Sequence, residues 1–258
     1  MSRQGQLQEW VNEVIRAGKA NALRPCFSQV LESVSLTEAY WVLDETVRRS
    51  GQTIVGFKGA LTQVAAQKSF GASEPACGVL LESMFQPQGI PVNRACFNRG
   101  AIETELGFIV GESVQHRVDE FDIVSLLSEM VPMIELVDVG FAHQPMGLVD
   151  LVANNAAARL FLVGQGAPVS NPDDIRIELF KEGTLLHSAS AGEVQEGQLQ
   201  AAAWLVNQAL SRGYSIDKGQ VLMTGSAGKI QTLQSGHYEA LYTGMQTVDF
   251  EIFDDVER

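Results

Sequence analysis

The chain has 258 residues, 45% of them hydrophobic, with 18 Lys and Arg against 31 Asp and Glu and a formal net charge of −13. That is enough apolar material for one large domain, or a small appendage and a domain, without disulfide staples. The acidic balance argues against a nucleic-acid partner, and an anionic ligand would need a local cation.

Cys26, Cys77 and Cys96 show no C-x-x-C spacing, which fits buried, reduced thiols better than a disulfide framework. The first residues, Met1 to Gln6, are polar, and no run approaches the length that spans a bilayer. The expectation is a soluble, cytoplasmic protein with no membrane partner.

Leu7, Trp10, Val11, Val14 and Ile15 recur at helical spacing, predicting a helix from about Gln4 to Ala17 that Gly18 stops. Ser35 with Glu38 forms a capping box for a second helix through Val42 and Val47, ended by Gly51. Residues 1–51 are thus a helical portion, and residues 52–258 form the main body.

Gln52 to Gly59 reads as a strand, on which Lys58 shares a face with Ile54 and Gly56. A surface lysine with a snorkelling stem is the simpler account of that charge, and a carboxylate or anionic ligand is the alternative. The small-residue stretch through Ser69, Gly71, Glu74-Pro75 and Gly78 is expected to be a loop covering a pocket.

Ile102 to Val110 alternates strictly. In a strand, Glu103 and Glu105 emerge on one face, roughly 6 to 7 Å apart, with Ile102, Thr104, Leu106 and Phe108 on the other. Two like charges so placed want a cation, unless they simply face water. A short helix from Asp119 to Met130 then leads into Val131 to Asp138, where Glu135 alone interrupts an apolar run. A third carboxylate converging on the first two would make an all-oxygen set suited to Mg²⁺ or Mn²⁺. Gly140 to Gly147 is a predicted loop, and His143 in it is a candidate acid or base, with a solvent-facing histidine as the competing account.

Asp150 to Arg159 is a small-residue helical turn region before a buried strand, Leu160 to Gly164. Ile175 to Leu186 is a hairpin turning at Glu182-Gly183, and a helix through Leu199, Val206 and Leu210 ends at Gly213. Gly219 to Gly225 and Gln246 to Phe253 read as late strands of the same sheet system.

Six pieces now carry a resemblance: Gly56-Phe57-Lys58 with Leu61-Thr62, Glu74-Pro75, Ile102 to Phe108 with its E-x-E, Ile134-Glu135-Leu136-Val137-Asp138, Asp150 to Ala156, and Leu222-Met223-Thr224-Gly225-Ser226. In this order, from about Ala39 to Phe253, the chain resembles the fumarylacetoacetate hydrolase superfamily, in its 2-keto-4-pentenoate hydratase / 4-oxalocrotonate decarboxylase branch. The resemblance implies an α+β fold, a mixed β-roll with an N-terminal helical portion. It implies Mg²⁺ or Mn²⁺ held by Glu103, Glu105 and Glu135, with Lys58 beside the substrate carboxylate as a catalytic and binding residue, and Thr224 as a further substrate contact. The implied activity is hydration or decarboxylation of a short 2-hydroxydienoate or 2-oxo acid in aromatic-compound catabolism, by a homo-oligomer that associates in some relatives with a related hydratase or decarboxylase.

The chain departs from the branch at Ala76, where an aspartate is usual, at Val139-Gly140, in place of serine and arginine, and at Ala157-Ala158, in place of two serines. Polar side chains that would orient water are thus replaced by apolar ones, while the three glutamates remain. Two other readings follow: hydrolysis of a C–C bond in an acylpyruvate-like compound, with His143 as base, and a non-catalytic ligand-binding or structural partner of a true hydratase.

Overall fold

Ser2 caps α1 (Arg3–Ala20) by accepting from the Gly5 amide, and the Ser35–Glu38 box opens α2 (Leu36–Ser50), which Gly51 closes at φ 65°. The protein was analysed as a computed structural model that describes residues 1–255. Gly18 does not stop α1. The helix runs on to Ala20 and ends where Asn21 takes the left-handed conformation, because an interior glycine costs only about 1 kcal/mol whereas a left-handed residue breaks the hydrogen-bond ladder.

The chain continues as β1 (Ile54–Ala60), α3 (Val64–Phe70), β2 (Ala76–Leu81), β3 (Val92–Asn93), β4 (Gly100–Val110), α4 (Glu120–Leu126), β5 (Leu127–Asp138) and α5 (Leu148–Ala153). Then follow β6 (Ala158–Val163), β7 (Arg176–Lys181), β8 (Thr184–Ser190), α6 (Gln198–Ser211), β9 (Val221–Thr232), β10 (Gly236–Tyr242) and β11 (Val248–Phe253). The stretch expected to be a loop around Gly78 is instead α3, a short turn and β2, with Gly78 paired to Lys58 inside the sheet. Helix α4 stops at Leu126, so Met130 belongs to β5, whose pairing to β4 overrides its helical spacing.

Among the described residues the strands form two sheets: a mixed six-stranded one in the order β2-β1-β9-β4-β5-β6, and a five-stranded one, β3-β11-β10-β7-β8. The late strands therefore divide, β9 entering the first sheet and β11 the second. Alternation along β4 decides which face meets which sheet. Ile102, Leu106 and Phe108 enter the main core with Ile177, Leu179, Tyr238 and Phe250 of the second sheet and Ala202, Leu205 and Val206 of α6. Glu103 and Glu105 are left on the opposite face. The helical portion packs through Leu7, Val11, Ala39 and Val42 onto Val152 and Ala153 of α5.

Cys26 and Cys77 are buried free thiols, but Cys96 is exposed. No helix among the described residues is long and apolar enough to cross a membrane.

Candidate functional site

The antiparallel β4–β5 ladder places Glu103 directly opposite Glu135. Glu105, two residues along β4, projects from the same face, and one carboxylate oxygen from each of the three lies within 4.8 Å of the others. Glu105 and Glu135 are fully buried and Glu103 is half-buried.

Lys58 comes from three strands away. It is 1% exposed, which excludes the snorkelling account, and its Nζ donates to Glu135 Oε2 at 2.6 Å and to the Ala156 carbonyl at 3.2 Å. In a flat sheet three strand steps would separate β1 from β5 by about 14 Å. The sheet must curl, with the charged residues on its concave side. Gly78, paired to Lys58, leaves room for the lysine stem, since a Cβ there would stand 2.9 Å from Lys58 Cγ.

Two backbone features finish the cluster. A bulge in β9 at Thr224-Gly225 turns the Gly225 amide toward Glu105 Oε2, at 2.9 Å. Gly225 has φ 127°, and a Cβ there would collide with the Thr62 side chain, so this position requires glycine. On the other side Asn155, Ala156 and Ala157 are three successive left-handed residues, with φ 56°, 48° and 63°. The turn is held by Asn155, whose amide exchanges two hydrogen bonds with Val79 at 2.7 and 2.8 Å, and by Arg24, which donates to the carbonyls of Asp138, Asn154, Ala157 and Ala158. Such local strain persists only where its surroundings fix it. Here it presents the Ala156 carbonyl to Lys58.

Burial raises all three glutamates above the ordinary carboxyl range, Glu135 to about 7 even with Lys58 beside it, and Glu105 is pushed further by its two carboxylate neighbours. Burial pulls Lys58 down, but Glu135, Glu103 and Glu105 together outweigh it and raise the ammonium above its usual value. Glu105 Oε1 and Glu135 Oε1 are buried with no hydrogen-bond partner. Unpartnered buried carboxylate oxygens are costly, and two of them facing a third carboxylate fit a hard cation.

A cavity of about 250 Å³ opens over Lys58 and Glu103. Thr62, Gln63 and Ser226 are its other polar side chains, and Leu61, Phe70, Val137, Val139, Met146 and Leu151 supply much of the wall. It is slightly smaller than the ~300 to 1,000 Å³ of most ligand pockets, which suits a small molecule. A second cavity of about 220 Å³ lies on the other side of Thr62 and takes in Glu74, Pro75, Trp204 and Thr224. Thr224 thus lines that cavity rather than the first, and its hydroxyl bonds the Leu106 carbonyl at 2.7 Å and also Gln198. His143 is exposed on the loop after β5; Met146 of the same loop lines the first cavity and His143 does not.

The chain is 31% identical over 194 residues to 2-keto-4-pentenoate hydratase 1 of Dechloromonas aromatica, a match covering 72% of each protein. The chain belongs to the 2-keto-4-pentenoate hydratase family. It is also 28% identical over 206 residues to 2-keto-4-pentenoate hydratase of Burkholderia vietnamiensis, covering 78% of this chain and 79% of that one. The fold matches 4-oxalocrotonate decarboxylase from Pseudomonas putida G7, solved with magnesium and adipate, at a TM-score of 0.92 and 21% identity over 98% of this chain and 99% of that one. No family model matches the chain.

The positions where the chain departs from this branch can now be placed. Val139 and Ala157 line the first cavity, Ala76 is buried at the start of β2, Ala158 is buried at the start of β6, and Gly140 is pressed against Asn98. Gln63, Arg24 and the left-handed turn escaped the sequence reading, and Ser226 entered it only as the last residue of the sixth motif. Asn155-Ala156 carried a faint signal, because asparagine tolerates that conformation, whereas nothing local marks Arg24.

Proposed function

We propose that this chain is a divalent-cation-dependent lyase, a hydratase or decarboxylase of a short 2-hydroxydienoate or 2-oxo acid in aromatic-compound catabolism, and that Glu103, Glu105 and Glu135 hold Mg²⁺ or Mn²⁺. The observation that carries the reading is the pair of orphaned carboxylate oxygens facing Glu103 beneath the cavity. A divalent cation held there would supply Lewis-acid polarisation of the 2-oxo or enol oxygen and a sink for enolate charge.

The remaining work falls to the chain itself. The Lys58 ammonium has three donors, of which Glu135 and Ala156 take two, so one is left to meet a substrate carboxylate. Gln63 gives its amide N–H to the Ser226 carbonyl at 3.1 Å, which leaves its side-chain oxygen to accept a bond from substrate or water. The apolar wall excludes bulk water and strengthens these interactions. A C–C hydrolase would want a base beside the glutamates, and His143 stands outside the cavity, so the lyase reading is favoured.

The test is turnover of a panel of 2-hydroxydienoates, followed by loss of ultraviolet absorbance and by CO₂ release, with Mg²⁺ or Mn²⁺ and after chelation. Metal-dependent turnover that disappears in Glu103→Ala supports the reading. Turnover and metal binding unchanged in that variant would overturn it.

A further inference from the structure

Strand β9 leaves regular pairing on both sides of the β4 carboxylates. Three of its residues, Gly228 to Ile230, stand opposite the single Glu103, and Thr224 and Gly225 stand opposite the single Leu106. Between these bulges only Thr104 with Ala227 and Glu105 with Ser226 are in register, and a bulge disrupts the ladder where it occurs. On the β9 side, strand pairing alone holds the E-x-E stretch weakly.

A side chain from the second sheet supplies a further hold. His187, on the edge strand β8, is buried, and its Nε2 lies 3.0 Å from the Thr104 hydroxyl, which in turn lies 2.9 Å from the Ala227 carbonyl. A hydroxyl has one hydrogen and a carbonyl can only accept, so Thr104 donates to Ala227, and His187 Nε2–H donates to Thr104. That leaves Nδ1 without a proton, and it is buried with no hydrogen-bond partner. Burial holds the ring's pKa below the usual histidine value, in keeping with a neutral imidazole. The ring also packs on Gly228, which has φ 80° and lines the first cavity; a Cβ there would stand 2.6 Å from His187 Cδ2.

Resting on the cation reading above, we propose that His187 is a positioning residue for the carboxylate site. Its Nε2–H fixes the Thr104 hydroxyl, and through it the short paired stretch between the two bulges, so that Glu103 and Glu105 keep the separation a divalent cation requires. Thr104 lies between the two glutamates and points to the opposite face, so it is restrained from behind without touching the cation.

The test is calorimetric titration of Mn²⁺ into the chelator-treated full chain, parent and variants, well below their melting temperatures. There the folded fraction is near one, and general destabilisation does not alter the apparent affinity. His187→Leu and Thr104→Val should each weaken Mn²⁺ binding about fivefold, the order of one lost buried hydrogen bond. The double variant should bind no worse than either single one, because both break the same chain of bonds. His187→Gln, whose amide N–H can stand near the place of Nε2–H, should bind within about twofold of the parent. In the parent, the ¹⁵N resonances of His187 should report a protonated Nε2 and an unprotonated Nδ1 at neutral pH.

A histidine that only fills space would lower the melting temperature of His187→Leu without moving its Mn²⁺ affinity. That outcome, independent effects in the double variant, or an Nδ1–H tautomer would each overturn this inference and leave the proposed function standing. Should His187→Leu fail to fold, Thr104→Val and the tautomer decide, and parent-like Mn²⁺ binding by Thr104→Val overturns the inference. Absence of Mn²⁺ binding by the parent would overturn both.

Discussion

Glu103 and Glu135 face each other across the β4–β5 ladder, two carboxylates at the position where a cross-strand pair comes closest. Like charges so placed destabilise by up to about 1 kcal/mol, and the cost persists until a cation neutralises it. Glu103→Gln should therefore stabilise the chelated protein slightly, by about 0.5 kcal/mol in urea unfolding, while weakening Mn²⁺ binding at least tenfold by calorimetry. A variant less stable than the parent without metal would contradict this account.

Glu135 is also half of a buried ion pair with Lys58. Removing one partner leaves an uncompensated charge, so Glu135→Ala should cost about 3 to 5 kcal/mol. The double replacement Lys58→Met, Glu135→Leu should recover most of that loss, because exchanging the whole pair for apolar groups of similar volume is often neutral. Both values are read from denaturant midpoints, and a double variant no better than Glu135→Ala would show that packing sets the cost.

The raised carboxyls predict a pH dependence. A carboxyl whose folded value lies above its unfolded value stabilises the fold at low pH, and that contribution is lost as pH rises through the folded value. With Glu135 near 7 and Glu103 and Glu105 also raised, chelated protein should lose melting temperature between pH 5 and pH 8, and saturating Mg²⁺ should restore it. Metal binding near pH 7 should release protons, visible as an enthalpy that varies with buffer ionisation heat. A melting temperature that rises across this window without metal would refute the assignment.

Gly225 combines a backbone conformation open mainly to glycine with close approach to Thr62. Gly225→Ala should cost at least about 2 kcal/mol from backbone strain and collision, and should weaken metal binding through displacement of the amide that holds Glu105. Adding Thr62→Gly would remove the three nearest colliding atoms but not the strain, so a full rescue of the melting temperature would show that φ 127° is not what the site requires.

Periodicity two fixed Glu103 and Glu105 on one face of an apolar strand, and Glu135 stood out because a lone charge in an apolar run has to be paired. The Ser35–Glu38 box and Gly51 marked α2 because caps act within four residues. These signals are local, and local chemistry determined them. The order of the strands was not local, and with it went the division into two sheets, the direct opposition of Glu103 and Glu135, and the curl that carries Lys58 to them from three strands away. The same holds for Arg24, which meets carbonyls more than a hundred positions later, and for the left-handed turn it secures. Residue types and spacing named the charged groups. Only the closed fold decided which of them share one buried volume, because at that distance along the chain no residue's preference specifies its partner.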